Sequence, residues 1–225
     1  MIATLINSIA VIAGALLGLL FGNRIKDSFK EIVMTSAGAV TLILGIDMAM
    51  KGESVIALLF ALIIGGMIGS SLRIEDGILS IGNRFAKDSD GGFAKGFLDS
   101  SILFCSGSMS IIGSINAGTT GDYSLILIKS IMDGFMAIVF ASAYGKGVLL
   151  SSAVVFVYQG FFTIFGAFLA PRLGDSGIGA IAAAGGYLLI MLALGLLKMK
   201  SIKTADFLPA LVLAPIFSYL FAFLN

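Results

Sequence analysis

Between Tyr123 and Gly145 the only ionisable carboxylate or amine side chains are Lys129 and Asp133. Four residues apart on a helix, they share one face and can form an ion pair. A charge at the centre of a bilayer costs about 3 kcal/mol on insertion scales, so such residues turn to the interior of a helix bundle. There they either line a solute or proton path or hold helices together as a structural pair. Lys before Asp is the weaker order on an isolated helix, so helix stability alone does not account for the arrangement.

A second group precedes them in "CSGSMSIIGSINAGTTGD", residues 105–122, where four serines and three glycines fall between positions 106 and 118. Each glycine weakens a helix by about 1 kcal/mol against alanine. Exposed backbone at membrane depth is tolerated only beside protein or a wet cavity. One reading is a broken helix whose Ser106, Ser108, Ser110, Ser114 and Asn116 join Lys129 and Asp133 in binding a permeating solute. The other is an unbroken helix with a face of small residues for close packing. Asn7, Cys105, Asp122, Tyr158 and Gln159 could line the same path, although Asp122 also suits a cap on the following helix. Asp47 and Asp99 fall near the ends of their apolar runs. The chain has no histidine and one cysteine, which leaves no disulfide, no recognisable metal cluster and no nucleophile–base pair. No metal, cofactor or enzymatic activity is expected.

The elements that must position these groups are set by composition. The 225 residues are 58% hydrophobic and 12% charged, with mean hydropathy +1.08, whereas soluble domains carry about 25% charge. Apolar runs recur at the roughly 20-residue length of a bilayer crossing. The expected fold is an all-α, polytopic transmembrane bundle forming one domain over 1–225. Eight spans are expected, near 2–22, 32–50, 54–72, 97–115, 123–144, 148–170, 177–197 and 206–224. The number falls to seven if the fourth is re-entrant. Within 73–96, Ile74, Ile78, Leu79, Ile81 and Phe85 recur at near-helical spacing among charges. This predicts an amphipathic helix on the membrane surface or an ordinary solvated one. The first Lys or Arg is Arg24, after the apolar run, so the N-terminal segment reads as a retained span rather than a signal peptide.

With the N-terminus outside, eleven Lys and Arg (Arg24, Lys26, Lys30, Arg73, Arg84, Lys87, Lys95, Lys146, Lys198, Lys200 and Lys203) are cytoplasmic, against Lys51 and Arg172 outside. That asymmetry orients the chain with both termini external. A faint internal repeat lays Gly18, Arg24, Asp27 and Ser28 on Gly166, Arg172, Asp175 and Ser176 at an offset of 148, and 37–51 on 184–198 at 147. Spans 1–3 (1–72) and 6–8 (148–225) would then be inverted copies around a central polar hairpin at 97–147. Inverted repeats are a hallmark of secondary transporters, with the site near the midplane.

The string "CSGSMSIIGSINAGTTGD" followed by "KSIMDG", with "GGMIGSSLRIEDGI" upstream and "LPALVLAPI" near the end, resembles the bacterial integral-membrane family catalogued as domain of unknown function 554. Cys105, Gly107, Met109, Gly113-Ser114, Gly121-Asp122, Lys129 and Asp133-Gly134 follow the family pattern, which often has proline where this chain has Ser108. The resemblance implies a prokaryotic cytoplasmic membrane protein and supplies no substrate. The expected function is transport of a small solute or ion. A channel, or a structural or sensory membrane subunit, is the alternative. The expected partners are the bilayer and the solute, with no nucleic acid; a homo-oligomer is left open. An anion would use Lys129 as counter-charge, and a monovalent cation or proton would use Asp133. A Lys87→Cys single-cysteine protein in a Cys105→Ala background should resist an impermeant thiol reagent applied from outside. External labelling there would overturn the orientation.

Overall fold

The computed structural model describes residues 1–22, 27–85 and 92–222. Among these there is no β-strand. Arg24, Lys26 and Lys87 lie outside the described residues, as do the side chains of Ile81, Phe85 and Ser108. The helices are α1 (Ile2–Gly22), α2 (Asp27–Ala49), α3 (Val55–Ser71), α4 (Ile74–Phe85), α5 (Phe93–Ser106), α6 (Ser108–Thr119), α7 (Ser124–Tyr144), α8 (Gly147–Leu196) and α9 (Pro209–Ala222). A 3₁₀ turn at Thr204–Phe207 precedes α9. Five helical segments are long and apolar enough to cross a membrane, and up to seven crossings result if each of two bent pairs, α3–α4 and α5–α6, is one span.

Apolar side chains cover the outside. Leu20, Ile43, Ile131, Phe135, Val157 and Val212 are each more than half exposed, as a lipid-facing surface requires. With lipid outside there is little hydrophobic drive between helices, so close backbone approach must supply the packing. α1 and α7 achieve it through glycine. A Cβ on Gly14 would collide with the Gly134 carbonyl, and one on Gly18 with the Ile138 carbonyl. The interior is filled by Phe104, Phe140, Leu188 and Val155, all fully buried.

Two breaks matter for the site. α5 and α6 bend by 58° about Gly107, which takes extended backbone at φ −69°, ψ 137°. The interruption expected somewhere in 106–116 is thus a single residue, and helix resumes at once. Ser108 is the first residue of α6, the position that favours proline, so the bend forms here without one. In α8 the backbone leaves helical geometry at Gly174 (φ 57°, ψ −178°), a left-handed φ that glycine adopts without steric cost. A connecting loop was expected at 171–176; the helix instead carries Pro171 and resumes after Gly174.

At one pole, α4 and the 3₁₀ turn cap each other. The Glu75 N–H donates to Asp206 Oδ1 (2.9 Å), and the Ala205 N–H donates to Glu75 Oε2 (3.0 Å). Each carboxylate satisfies an N–H left free at a helix start. Lys203–Asp76 (2.7 Å) and Lys198–Glu31 (2.6 Å) join the same pole. At the other pole the Ser176 hydroxyl donates to Glu53 (2.7 Å), and the Tyr219 hydroxyl donates to the Arg172 carbonyl (3.2 Å).

Gly14→Ala should lower the melting temperature by the equivalent of about 1–3 kcal/mol, the usual cost of overpacking. Gly77, in α4, has nothing within 4 Å of a built Cβ, so Gly77→Ala should be neutral or stabilising by about 0.5–1 kcal/mol. Thermal unfolding of the two variants in detergent separates the cases.

Candidate functional site

Lys129 and Asp133 sit one turn apart in the N-terminal half of α7 and make the ion pair their spacing predicts. Lys129 Nζ donates to Asp133 Oδ1 at 2.7 Å. Both side chains are 7% exposed. The second carboxylate oxygen accepts from Asn7 Nδ2 of α1 at 3.0 Å, so each carboxylate oxygen has a donor. The Asp47–Lys51 pair, at the end of α2 and in the turn that follows, has the same spacing and is largely exposed, at 67% and 49%, where an ion pair contributes little.

The helix break adjoins this pair. A Cβ built on Gly107 would stand 3.9 Å from Lys129 Nζ with no nearer neighbour, so the ammonium lies against the bend between α5 and α6. Both charges line a cavity of about 470 Å³ that also touches Gly107 and Met109 at the break, Asp47 and Met48 at the end of α2, and Lys51 just beyond it. It runs from the buried pair on α7 to the exposed pair at the end of α2, through mostly apolar walls.

The other expected site residues are divided among several environments. Ser106 donates to the Ile102 carbonyl, and Ser110 donates to the Phe104 carbonyl (2.8 Å) while accepting from Gln159 Nε2 (3.3 Å). Ser114 is fully buried and its hydroxyl has no partner. None of these three serines lines the cavity. They bond backbone or fill helix contacts, as the small-residue reading has it. Asn116 lines a second cavity of about 420 Å³, with Lys51 and Asp175 beside the α8 break. Cys105 is half-buried at the edge of the core, and Tyr158 packs edge-on against Phe162 at 5.1 Å. Asp122 Oδ1 accepts the Ser124 N–H (2.9 Å) at the start of α7. Hydrogen bonds from the Ser124 hydroxyl and N–H hold its carboxyl below the usual carboxylate range. Asp99, placed near a helix end by sequence, is buried and paired with Lys95 at 3.5 Å.

Sequence reasoning missed the α2 wall. Asp47 and Lys51 repeat the four-residue spacing of the α7 pair, and that shared spacing was the available signal.

The chain matches the family model described as "Protein of unknown function (DUF554)" over residues 2–219. It belongs to the DUF554 family. It is 32% identical over 220 residues to "Uncharacterized membrane protein YdfK" of Bacillus subtilis (strain 168), covering 96% of this chain and 95% of that protein. It is 29% identical over 221 residues to "Uncharacterized protein YqgA" of Escherichia coli (strain K12), covering 95% and 94%. No solved structure matches the chain. Membership of DUF554 thus agrees with the resemblance carried by residues 105–134.

Removing one member of a buried pair strands the other charge, at a cost of about 3–5 kcal/mol. Lys129→Met and Asp133→Asn should each lower thermal stability in detergent, and the double variant should recover most of the loss. Additive losses in the double variant would show that the two side chains do not depend on each other.

Proposed function

We propose that this DUF554 protein is a multi-pass transporter of the prokaryotic cytoplasmic membrane, moving a small solute or ion past the Lys129–Asp133 pair. The observation that carries the reading is the cavity joining a buried ion pair to a helix break. A purely structural pair needs no opening beside it, whereas this cavity leads from the buried pair past the exposed Ile131 and Phe135 to the outside of the bundle. Intramembrane charges that face a cavity mark solute and ion pathways, and broken helices are the usual way such sites present polar groups at depth.

Eight crossings with the N-terminus outside fit this reading. α8 is about 75 Å long at 1.5 Å per residue, more than two hydrocarbon cores of about 30 Å. Divided at Gly174, it supplies two crossings beside α1, α2, α7, α9 and the bent pairs. At the 148-residue offset Gly174 aligns with position 26, between the end of α1 and the start of α2. That correspondence supports an inverted pair of three-span units around the α5–α7 centre.

The test is a thermal-shift screen of purified protein against small carboxylates, amino acids and inorganic ions, followed by uptake of the hits into proteoliposomes. At least one solute should stabilise the wild type, leave the Lys129→Met/Asp133→Asn double variant unshifted, and accumulate only in wild-type vesicles. A double variant that folds and transports the same solute at the wild-type rate would exclude this face as the path.

A further inference from the structure

The cavity beside Lys129 has an open side as well as two ends. Val40 and Leu44 of α2 line it on one flank, and Ile131, Met132 and Phe135 of α7 on the other. Val40, Ile131 and Phe135 are each more than half exposed. They stand away from the ends of two helices that are long and apolar enough to cross a membrane. At that depth an exposed apolar side chain faces hydrocarbon. Both helices are held from behind. Gly14 meets Gly134 in the seam of α1 with α7, and Gly45 meets Gly186 in the seam of α2 with α8. α7 packs mainly on α1, and α2 mainly on α8. Between α2 and α7 the bundle therefore has a slot that opens sideways into the bilayer.

The side chains lining the slot are apolar except for the two ion pairs, one exposed at the end of α2 and one buried on α7. Four of the chain's ten methionines, Met48, Met109, Met132 and Met136, are among them. Unbranched thioether side chains adapt to a flexible apolar ligand. The volume of about 470 Å³ suits one small ligand, for which sites run to about 300–1,000 Å³. The buried pair selects the sign of the head group. Asp133 has a donor on each carboxylate oxygen. The Lys129 ammonium has three N–H donors and, among the described residues, one hydrogen-bond acceptor, Asp133 Oδ1. It also stands against Gly107, where the helix break leaves space. Its remaining donors match an anion, and a single ammonium at that depth matches a singly charged head. We propose that this face takes a single-chain amphiphile of the fatty-acid type, which enters from the bilayer between α2 and α7 and bonds its carboxylate to Lys129.

This names a substrate class for the transport reading and rests on it. Binding is read without flux, so uptake of a different solute leaves transport standing when this proposal fails. The chain has no tryptophan, so Phe135→Trp places a sole fluorophore on the rim of the slot. Phe161→Trp, at an exposed site on α8 that lines neither cavity, reports bulk lipid. Each variant in proteoliposomes is quenched with a long-chain carboxylate brominated at mid-chain, with its methyl ester and with the matched amine. Phe135→Trp should be half-quenched by about tenfold less carboxylate than ester or amine, the worth of one charge-assisted bond. Unbrominated carboxylate of the same length should reverse that quenching, and acetate should not. Phe161→Trp should respond alike to all three amphiphiles. Adding Lys129→Met/Asp133→Asn to Phe135→Trp should bring the carboxylate to the level of the ester. Equal quenching of Phe135→Trp by the three amphiphiles overturns the proposal. So does a carboxylate preference that Phe161→Trp shares, or one that persists without the ion pair.

Discussion

A charge held inside a bilayer-sized helix bundle must have its partners there. Lys129 and Asp133 are nearly excluded from solvent, so every oxygen and proton of the pair needs a mate within a few ångström. The rest of the site follows from this. One carboxylate oxygen is taken by the lysine on the same helix, and the other by Asn7 from a helix 126 residues earlier in the chain. Asn7 reaches that position only because α1 lies unusually close to α7. The glycines of the seam serve that closeness: Gly14 meets the backbone of Gly134, the residue next to Asp133.

The lysine needs room as well as a partner. A helix running straight through residue 107 would carry a continuous wall past the ammonium. The 58° bend at Gly107 opens that wall, and the space continues as the cavity toward α2. In the proposed transport reading, a pair that is satisfied on one side and faces open volume on the other exchanges partners with a solute. A structural pair would be enclosed on both sides. The walls of the cavity are mostly apolar, and the exposed Asp47–Lys51 pair lies at its far end from Lys129.

Much of this was legible in the sequence, for identifiable reasons. The α7 pair could be read because two ionic side chains in an apolar run are rare and their spacing fixes their face. The bend could be read from the density of Gly and Ser, and the amphipathic α4 from its period. What could not be read was tertiary. Nothing local marks Asn7 as the partner of Asp133, since the hydrogen bond depends on how α1 docks. The surroundings of the serines could not be read either, because a serine in a helix can satisfy itself on its own backbone, as Ser106 does, and composition does not reveal which will. The break expected at 171–176 is present but narrower than a loop, for a related reason. Pro171 and Gly174 are breakers in isolation, yet the helix tolerates the proline and confines its non-helical geometry to Gly174.

The central claim is that Lys129 faces a solvent-reachable cavity at the helix break. Gly107 has ordinary extended backbone and space for a side chain, so Gly107→Cys in a Cys105→Ala background places a thiol beside the ammonium with little disturbance. The decisive measurement is its labelling in sealed vesicles by a small charged, membrane-impermeant thiol reagent, compared with a lipid-soluble maleimide. The account predicts modification by the charged reagent and protection once a transported solute is bound. Labelling by the lipid-soluble reagent alone would mean that the pair is sealed from water and serves only to hold the helices.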